Sequence, residues 1–262
     1  MPGDFEGRVC VVTGAGGGIG RATALALAGA GGRLALLDRS ADTLGETMAA
    51  VAEAGGEAVA IGCDTSDEAS VAAAAAQCRD RLGPCDVLVN NAGILRAGPL
   101  ETLALSEWNA LLSVNLTGYF LCAQAFGRQM RERRAGALVH IASIAGHHAT
   151  AGGGAYSVAK ARVVMLSRQL AVEWGGAGIR SNVVNPGMIL TPMSHAFYQQ
   201  PGATERRSAV IPAGRIGQPE DIARAVLFLA SPRSDYISGD EITVDGAYTR
   251  NIMSLVPRAG YG

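Results

Sequence analysis

Short apolar runs alternate with longer stretches of helical period along nearly the whole chain. Runs at residues 9–13, 34–38, 58–63, 87–90, 138–142, 181–185 and 242–244 read as strands. Several lack the apolar–polar alternation that one solvated face imposes, the pattern of strands covered on both faces of a parallel sheet. Between them, Leu44, Met48, Val51 and Ala52 recur at the spacing of one helical face. Trp108, Leu111, Asn115, Tyr119 and Phe126 fall near a common stripe, and a third helix spans residues 156–174. A fourth opens at Pro219-Glu220-Asp221, where free N–H groups favour acids and tolerate proline. This alternation predicts an α/β fold, a doubly wound parallel sheet of about seven strands in three layers, with helices on both faces.

No linker, repeat or low-complexity segment divides residues 1–262, so one domain is expected. Residues 191–217 lack a period and hold Pro192, Pro201 and Pro212. They read as a loop with a short helix, either a mobile lid over a site or an ordinary surface excursion. The tail 248–262 carries Met253, Leu255, Val256 and Tyr261. It reads as docking on a neighbouring subunit, as covering the substrate cleft, or as disordered.

Composition narrows the picture. The net charge is −1 with no basic or acidic block, which gives no support to nucleic-acid binding. No signal segment opens the chain, and no uninterrupted apolar run approaches the roughly 20 residues that span a bilayer. The five cysteines, at 10, 63, 78, 85 and 122, lack metal-ligand spacing and read as small buried hydrophobes in a reducing, cytoplasmic protein. No metal site is expected.

The first strand runs into Thr13-Gly14-Ala15-Gly16-Gly17-Gly18-Ile19-Gly20, with a helix from about residue 18 to 31 behind it. Gly14 allows a tight turn, while Gly18 and Gly20 leave room for a diphosphate and for helix–strand packing. The helix N-terminus offers its N–H groups and partial positive charge to the phosphates. Asp38 ends the second strand, where a carboxylate accepts hydrogen bonds from the adenosine ribose and repels a 2′-phosphate. It favours NAD over NADP, although the adjacent Arg39 could pair with that phosphate.

In this register the chain resembles the short-chain dehydrogenase/reductases, in their NAD-preferring branch. The likeness rests on Thr13–Gly20, Asp64, Asn90-Asn91-Ala92-Gly93, Asn115, Ser143, Tyr156-Ser157-Val158-Ala159-Lys160 and Pro186-Gly187, and spans residues 8–246. The resemblance implies a Rossmann-type fold and a homotetramer built on the two long central helices and the last strand. It implies that Asp64 contacts adenine with Thr65 beside it, and that Asn91 lies beneath the cofactor. Ile189 would meet the nicotinamide through its backbone, and Thr191 the carboxamide or the diphosphate.

Hydride transfer to a ketone leaves an alkoxide that needs a proton, and the reverse reaction needs a base. Tyr156 and Lys160 lie four residues apart, on one helical face, so the ammonium is expected to lower the phenol's pKa. Ser143, at the end of the fifth strand, is placed to donate to the substrate oxygen. By resemblance, Lys160 also grips the nicotinamide ribose and Asn115 holds a water that links Lys160 to solvent. Ile94, Leu95, Arg96, Ala145, His147, Gly153 and Met188 are candidates to face a small alcohol or ketone; Arg96, His147 and His148 could recognise an anionic or hydroxylated substrate but read first as solvated surface. His140 reads as a satisfied core histidine. Two other readings stay open: an NADP-dependent 3-oxoacyl-carrier-protein-type ketoreductase, and a non-catalytic nucleotide-sensing protein.

Overall fold

The computed structural model describes residues 3–256. Seven parallel strands form one sheet in the order β3-β2-β1-β4-β5-β6-β7. They are β1 Val9–Thr13, β2 Arg33–Asp38, β3 Glu57–Gly62, β4 Val87–Asn90, β5 Gly136–Ile141, β6 Ile179–Pro186 and β7 Glu241–Val244. The doubly wound α/β architecture expected from the pattern is therefore present. Strand residues divide by parity between two cores, since successive side chains point to opposite faces. Cys10, Val12, Leu34, Leu36, Val87 and Val89 pack under α1 (Gly18–Ala28), α2 (Ala41–Glu53) and α8 (Pro219–Ala230). Val9, Val11, Ala35, Leu37 and Leu88 pack under α3 (Glu68–Leu82), α5 (Gly118–Arg133) and α6 (Tyr156–Trp174).

Several strands start earlier than the apolar pattern suggests. β2 and β3 open on Arg33 and Glu57, which are register partners and form an ion pair at 2.7 Å. A cross-strand charge pair supports pairing without apolar character. Helix α1 stops at Ala28, short of the expected residue 31, because a turn through Gly29–Gly32 follows, with φ +93° at Gly31.

The stripe through Trp108 and Phe126 is one helical run with an interruption. Helix α4 (Leu105–Leu112) passes through a π turn, Ser113–Thr117, into α5. By length and composition this run could cross a membrane. Its Tyr119, Cys122, Phe126 and Met130 are instead fully buried against the sheet.

The reversal of strand order falls between β1 and β4, which opens a crevice at their carboxyl ends. Residues 191–217 lie beyond β6 and contain a 3₁₀ turn, His195–Tyr198, and the short helix α7, Ala203–Ala209. The loop is pinned at its neck: Ile189 bridges Gly217, Leu190 N donates to Gly217 O, and Gly217 N donates to Met188 O. In the tail, Ile252, Met253 and Val256 are exposed. Tyr261 lies outside the described residues.

Candidate active site

The crevice is braced by side chains from both sides of the switch point. Thr13 Oγ1 accepts from the backbone N–H groups of Asn91 and Ala92, at 2.9 and 3.0 Å. Asn91 Nδ2 donates to the carbonyls of Thr13 and Gly14. Asn91 therefore fastens the end of β4 to the glycine turn.

Helix α1 begins at Gly18 with Gly17 as its N-cap, and no side chain caps it. Its first N–H groups thus keep their capacity for an anion. Gly18 closely approaches the start of the 191–217 loop, since a Cβ on it would lie 3.3 Å from the Thr191 side chain. Ile19 is partly buried against the core, while Gly20 is fully packed beneath Gly14.

Asp38 accepts from the Gly16 N–H at 3.1 Å and from the Ser40 N–H at 3.3 Å, so its carboxylate sits beside the glycine turn. Asp64 accepts from the Ser66 hydroxyl and N–H, which hold its carboxyl below the usual range. Arg39 lies 3.9 Å from it. Thr65 is buried against Gly118 of α5. A carboxylate, an uncapped helix start and a second polar strand end thus line one side of the crevice, a donor set that fits a dinucleotide.

Two residues that carry no motif or period shape this end. Arg21 donates to Gly16 O at 2.8 Å and to Glu46 at 2.6 Å, clamping the glycine turn from outside. Ser194 Oγ donates to Ile189 O at 2.6 Å and contacts the Thr191 N–H and hydroxyl. The Ile189 carbonyl thus accepts one hydrogen bond from within the loop and keeps its second lone pair. An arginine after a glycine run and a serine within a loop give no periodic signal.

At the other end, Ser143 follows β5 in extended conformation, and its Oγ accepts from Ala145 N at 3.1 Å. The 3₁₀ turn behind it, Ile144–Gly146, packs so tightly on α6 that a Cβ on Gly146 would lie 3.0 Å from the Lys160 backbone. The segment before Tyr156 is clasped to the loop after β4 by Gly98 N to Gly152 O and Gly154 N to Gly98 O. These contacts bring Tyr156, Ser143 and Lys160 to the carboxyl end of β5.

Burial raises the Tyr156 phenol above its ordinary pKa, and the Ser143 hydroxyl pulls it part of the way back. Lys160 is buried, and burial holds its amine down to about 7. The Lys160 ammonium does not bond the Tyr156 hydroxyl. Its Nζ lies 5.7 Å from the Tyr156 ring centre and donates to Ile141 O at 2.8 Å and to the Tyr119 hydroxyl at 3.1 Å. Desolvation is thus the larger effect on the phenol, and the Ser143 hydroxyl is the group that opposes it.

Asn115 sits in the π turn, fully buried, and spends its side chain on one neighbour. Its Oδ1 accepts from Ile94 N and its Nδ2 donates to Ile94 O, both at 2.8 Å. The two bonds use one N–H and one lone pair of the amide and tie the loop after β4 to the π turn.

The charged candidates near the site are also engaged: Arg96 pairs with Glu107, and His147 with Glu241 at 2.7 Å. His148 is exposed. His140 is a satisfied core residue, bonded to Asn90 and Ser181 at 3.2 Å each and held down to about 3 by burial and Lys160. All five cysteines are free and buried.

Comparison with known proteins places this geometry among oxidoreductases. A family model described as enoyl-(acyl carrier protein) reductase matches residues 14–249. D-threitol dehydrogenase of Mycolicibacterium smegmatis is 41% identical over 248 residues, covering 94% of each chain. The solved structure of levodione reductase matches with a TM-score of 0.90 at 36% identity, over 94% of this chain and 99% of that one. A gluconate 5-dehydrogenase from Burkholderia cenocepacia, solved with NADP and tartrate, matches at 0.89 and 34% identity, over 94% and 96%.

Proposed function

The chain belongs to the short-chain dehydrogenase/reductase family, and on that premise we propose that it moves a hydride between NAD(H) and a secondary alcohol or ketone, with Tyr156 as general acid and base. The observation that carries this reading is the meeting of Tyr156, Ser143 and Lys160 at the end of β5, beside the crevice of β1 and β4.

The nicotinamide supplies or accepts the hydride. Tyr156 gives its phenolic proton to the forming alkoxide, or takes the alcohol proton in reverse. Ser143 donates to the same oxygen as charge develops there. Lys160 opposes the burial penalty on the phenolate by its charge and grips the ribose. Asn115 acts as a positioning residue, locking Ile94 against the π turn.

In this reading Gly14, Gly18, Ile19 and Gly20 receive the diphosphate, Asp64 and Thr65 face the adenine, and Asn91, Ile189 and Thr191 line the nicotinamide side. Asp38 favours NAD by accepting from the ribose hydroxyls and repelling a 2′-phosphate. NADP is the second reading. It is favoured by the NADP in the gluconate 5-dehydrogenase structure and by the cation of Arg39 next to Asp38. A homotetramer fits the apolar side chains that α5 and α6 expose, Phe120, Met165 and Val172.

The test is a panel of secondary alcohols followed by NADH absorbance, beginning with polyols and sugar acids in view of the D-threitol and gluconate relatives. Turnover with a higher kcat/KM for NAD than for NADP is expected, and Asp38→Ala should shrink that ratio roughly tenfold or more. Cofactor binding without turnover across the panel would overturn the catalytic reading. A higher kcat/KM with NADP would overturn the cofactor preference.

A further inference from the structure

Lys160 is the only lysine in the chain; every other residue in the Lys+Arg total of 22 is arginine. Its amine is not held by a carboxylate. Its two hydrogen-bond partners are the Ile141 carbonyl at 2.8 Å and the Tyr119 hydroxyl at 3.1 Å. The β4–β5 ladder ends at Asn90–His140, and the Ile141 carbonyl just past it accepts from two side chains, Lys160 and Tyr119.

The Tyr119 hydroxyl donates its one proton to Ile141 O at 2.9 Å. Toward Lys160 it can therefore act only as an acceptor, which favours the charged amine. The Tyr119 ring adds to this, with the Lys160 Nζ 4.9 Å from its centre. Tyr119 is fully buried at the start of α5, and Asn90 Nδ2 fixes its backbone carbonyl at 3.1 Å.

We propose that Tyr119 is a positioning residue for the proton machinery: its hydroxyl and Ile141 O form a fixed cradle that biases the Lys160 amine toward its charged form and aims it beneath Tyr156. The proposal rests on the catalytic reading above only for its kinetic consequence; the cradle itself is built from protein groups alone. The groups that face the amine are Tyr119 from α5, Tyr156 from α6 and His140 from β5. His140 is held neutral, so it does not compete for the role. Burial holds Lys160 down to about 7, and two acceptors at 2.8 and 3.1 Å oppose that fall.

The single lysine makes the test direct. Protein labelled with 13C at the lysine Cε shows one such signal, so its pH titration reports Lys160 alone. In cofactor-free wild type the midpoint is expected far below the ~10.4 of a free lysine. In Tyr119→Phe it should move down by roughly 0.5–1 unit. Loss of that charge should raise the acid limb of alcohol oxidation by Tyr156 in kcat/KM. An unmoved Lys160 midpoint in Tyr119→Phe, or a wild-type midpoint near that of a free lysine, overturns the cradle. Tyr119→Met, which also lacks the hydroxyl, replaces Tyr119→Phe if the latter does not fold. Absence of turnover in the wild type would count against the catalytic reading and would leave the lysine titration to decide the cradle.

Discussion

A methyl group placed on the Gly20 α-carbon would lie 2.0 Å from the Gly14 carbonyl oxygen. Helix α1 meets the end of β1 at this contact, and the closeness fixes the width of the glycine turn. Gly20→Ala must push backbone against backbone, which costs about 1–3 kcal/mol or more. A lower Tm and weakened NADH binding, read by thermal melts and fluorescence titration, are the expected outcome. A variant that melts and binds as the wild type would show that the turn yields more easily than the geometry says.

Tyr156→Phe keeps the ring and removes the proton. Turnover should fall by roughly 10²–10⁴, the usual contribution of one acid–base group. NADH should still bind, since the glycine turn and Asp38 are untouched. Near-normal kcat in this variant would sink the assignment.

Lys160 makes stability depend on pH with a definite sign. Its amine is held down to about 7 in the folded protein, against ~10.4 in the unfolded chain. Between these values the unfolded chain binds more protons, so this contribution rises with pH; below about 7 the full burial penalty is present. The difference in stability between wild type and Lys160→Met, read from urea melts, should therefore shift in favour of the wild type as pH climbs from about 7 to 9. Taking the difference cancels the buried thiols and phenols, whose titration runs the other way. A flat difference across that range contradicts the depressed amine.

Val172 is 82% exposed on α6. If this face is a subunit contact, Val172→Glu should lower the mass seen by size-exclusion chromatography with light scattering, while the Tm of the released subunit stays measurable. A wild type that runs as a monomer would remove the contact altogether.

The layered sheet was legible because strands buried on both faces carry an apolar signal that needs no partner to be read. Arg33 and Glu57 fell outside it, since their place in β2 and β3 depends on each other across the sheet. The π turn at Ser113–Thr117 was hidden because an apolar stripe continues through it. Tyr156, Ser143, Lys160 and Asn115 stood out as residue types at given spacings. What their polar atoms bond to did not, because Tyr119 is 41 residues from Lys160 and Ile94 is 21 from Asn115. Such pairings arise only when the sheet brings distant helices and loops together.

The pinned neck of the 191–217 loop gives the protein a modular seam. Met188, Ile189, Leu190 and Gly217 close the loop on itself at its neck, and Ala213 N donating to Gly246 O ties its far end to the turn after β7. A cassette of different length or chemistry can be grafted between those residues while Ser143, Tyr156 and Lys160 stay where β5 and α6 hold them. Substrate choice and proton transfer are thereby separable by the engineer, and open to divergence at different speeds among descendants of one gene.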